Sequence, residues 1–318
     1  MTRSLQTDIL PIKSAPGFFS RIARDFKKNR LLYLMIFPVI VYYIIFNYGP
    51  MYGLQIAFKD FNLRAGYWAS PWVGFKHFKL FFESYYFGRV LRNTLLISVY
   101  SLIFSFPATI VFALLLNEIR NRIFKRFVQT ITYIPHFISI IIICGIIVDF
   151  CMSDGLINDI ISFLGGARTP LLQEMKYFRS VYIISGMWQG LGWGTIIYLS
   201  AITNIDQELY QAAIIDGANR FRQIWHITLT GIRPTIIILL ILRMGSVLNV
   251  GFEKVILLYN PATYEVADVI SSYVYRRGLQ QLNWSYGAAV GLFNSVVNLI
   301  LVVTSNRVSK KVSDISLW

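Results

Sequence analysis

The feature that most constrains this chain is a series of long apolar runs separated by short polar segments, for example residues 93–116 and 284–304. A helix needs about 20 consecutive apolar residues to cross the hydrocarbon core of a bilayer, and these runs reach that length. Inside a membrane every backbone polar group must be bonded within the protein, which a helix achieves by itself. The pattern therefore predicts an all-α, polytopic membrane protein.

The charge content agrees with this prediction. Only 14% of the 318 residues are charged and 55% are hydrophobic, whereas soluble domains carry about 25% charged residues. The formal net charge of +14 is interpreted as topogenic Lys and Arg in loops, although the outer loop 59–92 is also fairly basic. No basic run lies on a soluble domain, so a nucleic-acid partner is not expected.

Six membrane spans are predicted, with the N-terminus inside. Residues 1–30 form a basic cytoplasmic segment, and residues 31–318 form the transmembrane domain. The apolar stretch after Leu31 lacks a nearby small-residue cleavage site, so it is interpreted as an uncleaved span. The predicted spans are 31–58, 93–116, 127–150, 179–202, 234–252 and 284–304, with 203–233 as the longest cytoplasmic loop.

The loop 203–233 carries the strongest functional signal. Asp206 is placed to cap a short helix, with Glu208 in its first turn, and Gly217 suits the left-handed position that ends a helix. A second short helix is predicted from Asn219 to Ile227. Such a loop either packs on its own bundle or presents a docking surface to another protein.

The sequence of this loop resembles a pattern in permeases of ATP-binding-cassette importers. That pattern is Glu-Ala-Ala, three residues, Gly, nine residues, Ile, one residue, Leu-Pro. Two positions depart from it, because Gln211 replaces the glutamate and Thr230 replaces the proline. The matching residues are Ala212, Ala213, Gly217, Ile227 and Leu229, and the family's frequent Asp-Gly-Ala is present as Asp216-Gly217-Ala218.

The resemblance extends along most of the chain. Val73-Gly74-Phe75 and Asn93-Thr94-Leu95-Leu96 look like the larger partner of two-permease sugar importers. The segment 249–254, with Tyr259-Asn260-Pro261 and 273–276, is most similar to the LplB-type subgroup, which is associated with oligosaccharide and polysaccharide uptake. The resemblance implies a six-helix bundle of the type I importer kind in a bacterial cytoplasmic membrane.

The resemblance also implies the partners. These are a second homologous permease, two ATP-binding-cassette ATPases docked on the 207–229 loop, and an extracellular or periplasmic solute-binding protein. The family's motif glutamate helps to hold the ATPase contact. Since Gln211 cannot supply that charge, we hypothesise that Glu208, on a neighbouring helical face, does so.

The candidate substrate pathway follows the fourth to sixth spans. Arg243 is predicted midway along the fifth span, where a charge is costly unless paired or hydrated. It forms either a structural pair or a positive group facing the cavity, for example toward a uronate. Aromatic and amide side chains suit sugar rings, although tryptophans in membrane helices also serve packing or the lipid interface. These further candidates are Trp188, Trp193, Asn249 and Asn294.

Other motifs restrict the function. Cys144 and Cys151 lie about 10 Å apart along one predicted helix, too far for a disulfide, so both are predicted to be packing residues. The glycine pairs Gly186/Gly190 and Gly287/Gly291 are predicted to allow close helix packing.

No phosphate-binding Gly-x4-Gly-Lys-Ser/Thr motif, histidine metal site or nucleophile–base set is present in the sequence. An enzyme is therefore not expected, and ATP and Mg²⁺ are assigned to the partner ATPase. The alternatives are a passive channel or secondary carrier, or a permease for peptides or glycerol phosphates.

Overall fold

The computed structural model describes residues 25–313 and 316–317. The predicted basic segment 1–30 therefore falls, up to residue 24, outside the described residues. Within the described ranges the regular structure is helical, apart from one isolated antiparallel bridge between Lys59 and Trp72. This confirms the all-α prediction.

The chain divides into two compact units, at Gln55 and Ile56. In the first unit, helix α1 spans Arg30–Tyr43 and contains Pro38. The sequence predicts a break near Asn47, Gly49 and Pro50. The helical path instead changes pitch there, through a π-helical turn at Ile44–Tyr48 and a short α-helical turn at Gly49–Met51.

The second unit contains the other helices that the structure describes. The site lies on α2 to α10, and shorter helical segments connect them. These helices are α2 (Tyr85–Glu118), α3 (Arg122–Phe137), α4 (Ile140–Cys151), α5 (Leu156–Phe163), α6 (Met175–Thr203), α7 (Gln207–Ile215), α8 (Arg220–Met244), α9 (Phe252–Leu258) and α10 (Trp284–Ser313). The shorter segments are Tyr52–Phe58 (which begins in the first unit), Gly66–Ala69, Lys76–Phe82, Tyr264–Ala267, Ile270–Val274 and Tyr275–Gln280.

The predicted membrane character is supported by length and composition. Five helical stretches of the described chain are long and apolar enough to cross a membrane, and α2 and α10 are among them. The predicted fourth span corresponds to α6, a helix of 29 residues that is not among these five. Many apolar side chains on these helices are exposed, such as Leu115 and Leu299. Such surfaces are stable where lipid or protein replaces water.

The predicted third span, 127–150, is two helices. Helix α3 ends at Phe137, and α4 begins at Ile140 after extended backbone at Ile138 and Ser139. Pro135 lies in the last turn of α3, where its missing N–H and its ring weaken the helical hydrogen bonding. Hydropathy continues across this break, so a span read from hydropathy alone misses it.

The predicted fifth span, 234–252, and the separate helix from Asn219 to Ile227 are both corrected. Helix α8 runs from Arg220 to Met244, so the short helix and the span are one helix. It contains a π-helical turn at Ile224–Thr228. The helix ends before Gly245, and the chain makes turns before α9 begins. Arg243 therefore lies in the last turn of α8, and its predicted position midway along a span is wrong.

Close backbone contacts hold α6 against its neighbours. A Cβ added at Gly192 would lie 2.2 Å from the carbonyl oxygen of Thr132 on α3. Gly287 meets Gly278 in the same way, with an added Cβ 2.7 Å from the facing Cα. The packing prediction is thus confirmed for Gly287. Cys144 and Cys151 are free and buried in an apolar cluster, which confirms them as packing residues.

A buried ionic network joins α2 to the segments before α10. The Asp268 carboxylate is fully buried and accepts a hydrogen bond of 2.5 Å from Arg276, with Arg89 at 3.4 Å. Asn93 donates to the backbone carbonyls of Asp268 and Glu265 at 3.0 and 2.9 Å. The buried carboxylate thus has cationic partners, which is the condition for burying charge without a large penalty.

Candidate functional site

The first part of the site is the elbow, defined as residues 206–228, which contains α7 and the start of α8. The Asp206 side chain accepts a hydrogen bond from the Glu208 backbone N–H at 2.9 Å, so the predicted cap is confirmed. Gly217 has a φ of +74° and ends α7, as predicted. The Ala218 N–H donates to the Ala213 carbonyl at 2.8 Å, which closes the helix end in the way expected for a left-handed glycine.

Within the elbow, α7 and the turn after it are hydrogen-bonded to the first turns of α8. The hydroxyls of Tyr210 and Thr228 lie 2.9 Å apart and form a hydrogen bond. The buried Gln223 donates from its side chain to the Ala218 carbonyl at 2.8 Å. Side-chain hydrogen bonds thus join α7 and its C-terminal turn to α8.

The elbow exposes large apolar side chains. None of the residues of α7 is buried, and Ile215 is 86% exposed. On α8, the rings of Phe221 and Trp225 stack on each other with centroids 6.4 Å apart, and both are exposed. Exposed apolar side chains grouped on a polar loop are typical of a protein-binding surface.

The motif residues lie on this surface or beside it. Ala212, Asp216 and Gly217 are exposed, whereas Ala213 and Ala218 are half-buried. Gln211 lines a groove of about 420 Å³ that also includes Arg120 and Arg220. Glu208 is exposed and forms no ion pair with any residue that the structure describes.

The second part of the site is the cavity, an open space of about 430 Å³ lined by α2, α6, α8 and α9. Hydroxyl and amide side chains line it, and glycines of α6 leave it open. Among the described residues its lining includes no aspartate or glutamate. The uncharged polar lining residues are Ser101, Ser105, Thr109, Tyr182, Gln189 and Tyr198.

Two cations face the cavity. Arg243 is exposed at the end of α8, and its guanidinium has no hydrogen-bond or ion-pair partner within residues 25–313 and 316–317. Lys254 of α9 is buried, and its Nζ donates to the Tyr182 carbonyl at 3.0 Å. Nζ also lies 4.8 Å from the centroid of the Tyr182 ring, where a cation is favoured by the negative face of the ring.

The sequence candidates are only partly brought together. Asn249 lines a small pocket of about 60 Å³ that shares Arg243 with the cavity. Its side-chain oxygen accepts hydrogen bonds of 3.0 Å from both Asn294 and Asn298. The structure therefore joins Arg243, Asn249 and Asn294 in one region.

The two tryptophan candidates lie elsewhere. Trp193 stacks on the His136 ring of α3, with centroids 4.5 Å apart. Trp188 lines a separate, mostly apolar pocket beside α4 and α5. Neither is among the residues that line the cavity. Both side chains are about half exposed, 48% for Trp188 and 45% for Trp193, and their role in the substrate pathway stays a prediction.

The sequence analysis did not identify Lys254 as a site residue, and it did not predict that Gly186 lies beside Lys254. A Cβ added at Gly186 would lie 3.3 Å from Lys254 Nζ. Gly186 and Gly190 both line the cavity, so the predicted helix packing is wrong for this pair. The sequence does show a lysine between two apolar stretches, which could have indicated a buried cation. Its burial, however, depends on α6, which is distant in sequence.

The chain matches known proteins over most of its length. Residues 105–314 match the family model described as binding-protein-dependent transport system inner membrane component. The chain is 48% identical over 286 residues to Protein LplB of Bacillus subtilis, covering 90% of each chain. It is 46% identical to the polygalacturonan/rhamnogalacturonan transport system permease protein YteP of the same organism, covering 96% of this chain and 98% of the relative.

Two solved structures have the same fold. One is a bacterial ABC transporter involved in the import of the acidic polysaccharide alginate, with 45% identity and a TM-score of 0.85 over 92% of this chain and 99% of that chain. The other is a bacterial alginate ABC transporter in complex with an alginate pentasaccharide-bound periplasmic protein. It has 43% identity and a TM-score of 0.85, covering 93% of this chain and all of that chain (100%).

Proposed function

The chain belongs to the family of binding-protein-dependent transport system inner membrane components, and we propose that it is the permease subunit of an ATP-driven importer of oligosaccharides or polysaccharides. A relative is named as a permease for such cargo, and a transporter with the same fold is involved in the import of alginate. The protein is a component of a bacterial membrane.

The elbow is the proposed docking surface for the ATPase. The observation that carries this proposal is the exposed apolar surface of α7 and the start of α8, at the position of the family motif. In this scheme ATP and Mg²⁺ are bound by the partner ATPase subunit. The docked ATPase would cover Ile215 and the stacked Phe221 and Trp225, which are otherwise left exposed.

The transport mechanism proposed is alternating access. Helix α8 begins in the elbow and has Arg243 at its other end, beside the cavity. Its 25 residues span roughly 37 Å at 1.5 Å per residue. Because hydrogen bonds of Tyr210 and Gln223 tie α7 and the turn after it to α8, a movement of the docked ATPase would tilt α8 and change access to the cavity.

A complete importer needs three kinds of partner. One bundle of this size does not enclose a path wide enough for an oligosaccharide, so a second, homologous permease is expected to form the other wall. Two ATPase subunits would dock on the pair. A solute-binding protein would deliver the saccharide, as the complex of the alginate transporter with its periplasmic protein suggests.

The test is reconstitution of the native complex in proteoliposomes, with uptake of labelled oligosaccharide measured with and without ATP. Purification of the complex through this chain and mass identification of bound subunits would establish the partners. Ile215→Asp places a charge on the apolar surface and is expected to reduce ATPase recovery about tenfold or more. Uptake that persists without any ATPase would support a passive channel or secondary carrier instead.

The charge of the elbow is tested separately. Glu208 is exposed and has no ionic partner in the described part of the chain, so it is available to pair with a basic ATPase residue in place of the family glutamate. Glu208→Ala is expected to weaken ATPase association, whereas Gln211→Glu is expected to strengthen it. Unchanged association in Glu208→Ala would reject this role for Glu208.

A further inference from the structure

We propose that Arg243 and Lys254 form a cationic subsite in the cavity that binds the carboxylate groups of an acidic saccharide. The inference rests on the proposed function and specifies its cargo as a uronic-acid oligomer. It is drawn from the distribution of charge in the cavity, which contains two cations and, in the described part of the chain, no lining carboxylate.

Lys254 is the stronger indicator. Removing an ammonium group from water is costly unless hydrogen bonds or an opposite charge replace its hydration. Lys254 is buried, with 6% of its surface exposed, and among the described residues its ammonium donates to the Tyr182 carbonyl alone. An ammonium group has three donors. Two donors therefore remain for water or for an anionic ligand in the cavity.

Arg243 adds a second positive charge to the same cavity. Its guanidinium is planar and can bond both oxygens of a carboxylate at once. It is exposed to the cavity, and no described acidic residue forms an ion pair with it. Fixed cations in a cavity with low-dielectric walls raise the local concentration of anions. The subsite therefore favours a charged cargo over a neutral one.

The remaining lining suits the rest of a sugar. Ser101, Ser105 and Gln189 supply hydroxyl and amide groups, which can bond sugar hydroxyls. Because Gly186 has no side chain, the space next to the Lys254 ammonium is free; an added Cβ there would lie 3.3 Å from Nζ. A carboxylate reaching this ammonium is not obstructed by a side chain at position 186.

The experiment uses the complete reconstituted transporter with its binding protein. Uptake is measured for an oligogalacturonate tetramer and for its methyl ester, which has the same sugars without the charges. The variants are Arg243→Gln, Arg243→Lys and Lys254→Gln. Lys176→Gln is the matched control, because Lys176 is an exposed cation of α6 that is not among the residues lining the cavity.

We expect Arg243→Gln and Lys254→Gln each to reduce uptake of the acid about tenfold, the size of one charge-assisted hydrogen bond. Uptake of the ester should change less than about twofold, and Arg243→Lys should retain most of the acid uptake. Lys176→Gln should behave like the wild type. Since the binding protein is the same in all assays, its own preference cancels when each variant is compared with the wild type.

The proposal is overturned if the acid and the ester lose uptake equally, or if neither variant changes acid uptake. The salt dependence gives an independent check: KCl should reduce acid uptake by the wild type more steeply than by Arg243→Gln. Equal slopes would also overturn the subsite. Failure of the proposed function looks different, because no variant or wild-type complex would then show ATP-dependent uptake of any saccharide.

Discussion

Substitution of Gly192 by alanine tests the close contact between α6 and α3. The added Cβ would lie 2.2 Å from the Thr132 carbonyl oxygen and 2.5 Å from its carbonyl carbon. Both atoms belong to the backbone, so no side-chain rotation relieves the overlap, and the helices must separate. Overpacking of this kind costs about 3 kcal/mol at the upper end of its usual range.

Gly190→Ala is the matched control for this substitution. Gly190 lies on the same helix, and an added Cβ there meets nothing within 4 Å. Alanine favours a helix over glycine by about 1 kcal/mol at either position, so this contribution cancels between the variants. Gly192→Ala should therefore be less stable than Gly190→Ala by about 3 kcal/mol.

The measurement is unfolding of the purified permease in mixed micelles by increasing amounts of a denaturing detergent, followed by circular dichroism. Gly192→Ala should unfold at a clearly lower detergent fraction than the wild type, whereas Gly190→Ala should unfold at the same fraction or a higher one. Equal midpoints for the two variants would refute the proposed backbone contact.

Three further substitutions follow from the structure. Asp268→Asn removes the buried negative charge that Arg89 and Arg276 share and should cost about 3–5 kcal/mol in the same unfolding assay. Its control is Glu265→Gln, which removes only a surface pair with Arg89 and should cost less than about 1 kcal/mol. A similar loss of stability in the two variants would contradict the argument. Gly217→Ala strains a φ of +74° by about 1–2 kcal/mol and should reduce ATPase copurification, and full recovery would contradict this. Asn158→Asp removes donation to two backbone carbonyls and should cost about 1–3 kcal/mol, which an unchanged unfolding midpoint would disprove.

The part of the elbow up to Gly217 was predictable because its structure is local. A cap at Asp206, a left-handed glycine at 217 and the short helix between them depend on residues within a few positions of one another. The end of α8 was harder to predict. Hydropathy stays high beyond Met244, but the turns near Gly245 end the helix and place Arg243 in its last turn. Averaging over a window removes this information.

The composition of the cavity could not be predicted from local pattern. Its walls come from α2, α6 and the neighbouring helices α8 and α9, which lie in three separate parts of the sequence, and the direction of each side chain depends on how these helices pack. Trp188 and Lys254 illustrate the difficulty. An aromatic residue on a helix favours either packing or a sugar contact, and only the packed structure places Trp188 away from the cavity and Lys254 beside it.

The cations of the described chain differ in whether a carboxylate faces them. Arg89 and Arg276 contact a buried carboxylate, Asp268, so their charges are neutralised within the protein. Arg243 and Lys254 face a cavity without such a partner in the described residues. Lys254 keeps a buried charge with one carbonyl and one aromatic ring as partners, which costs stability unless these groups replace its hydration. In the proposed subsite, the carboxylate of a passing saccharide would supply a further partner for Lys254, and Arg243 would supply a second contact for the saccharide.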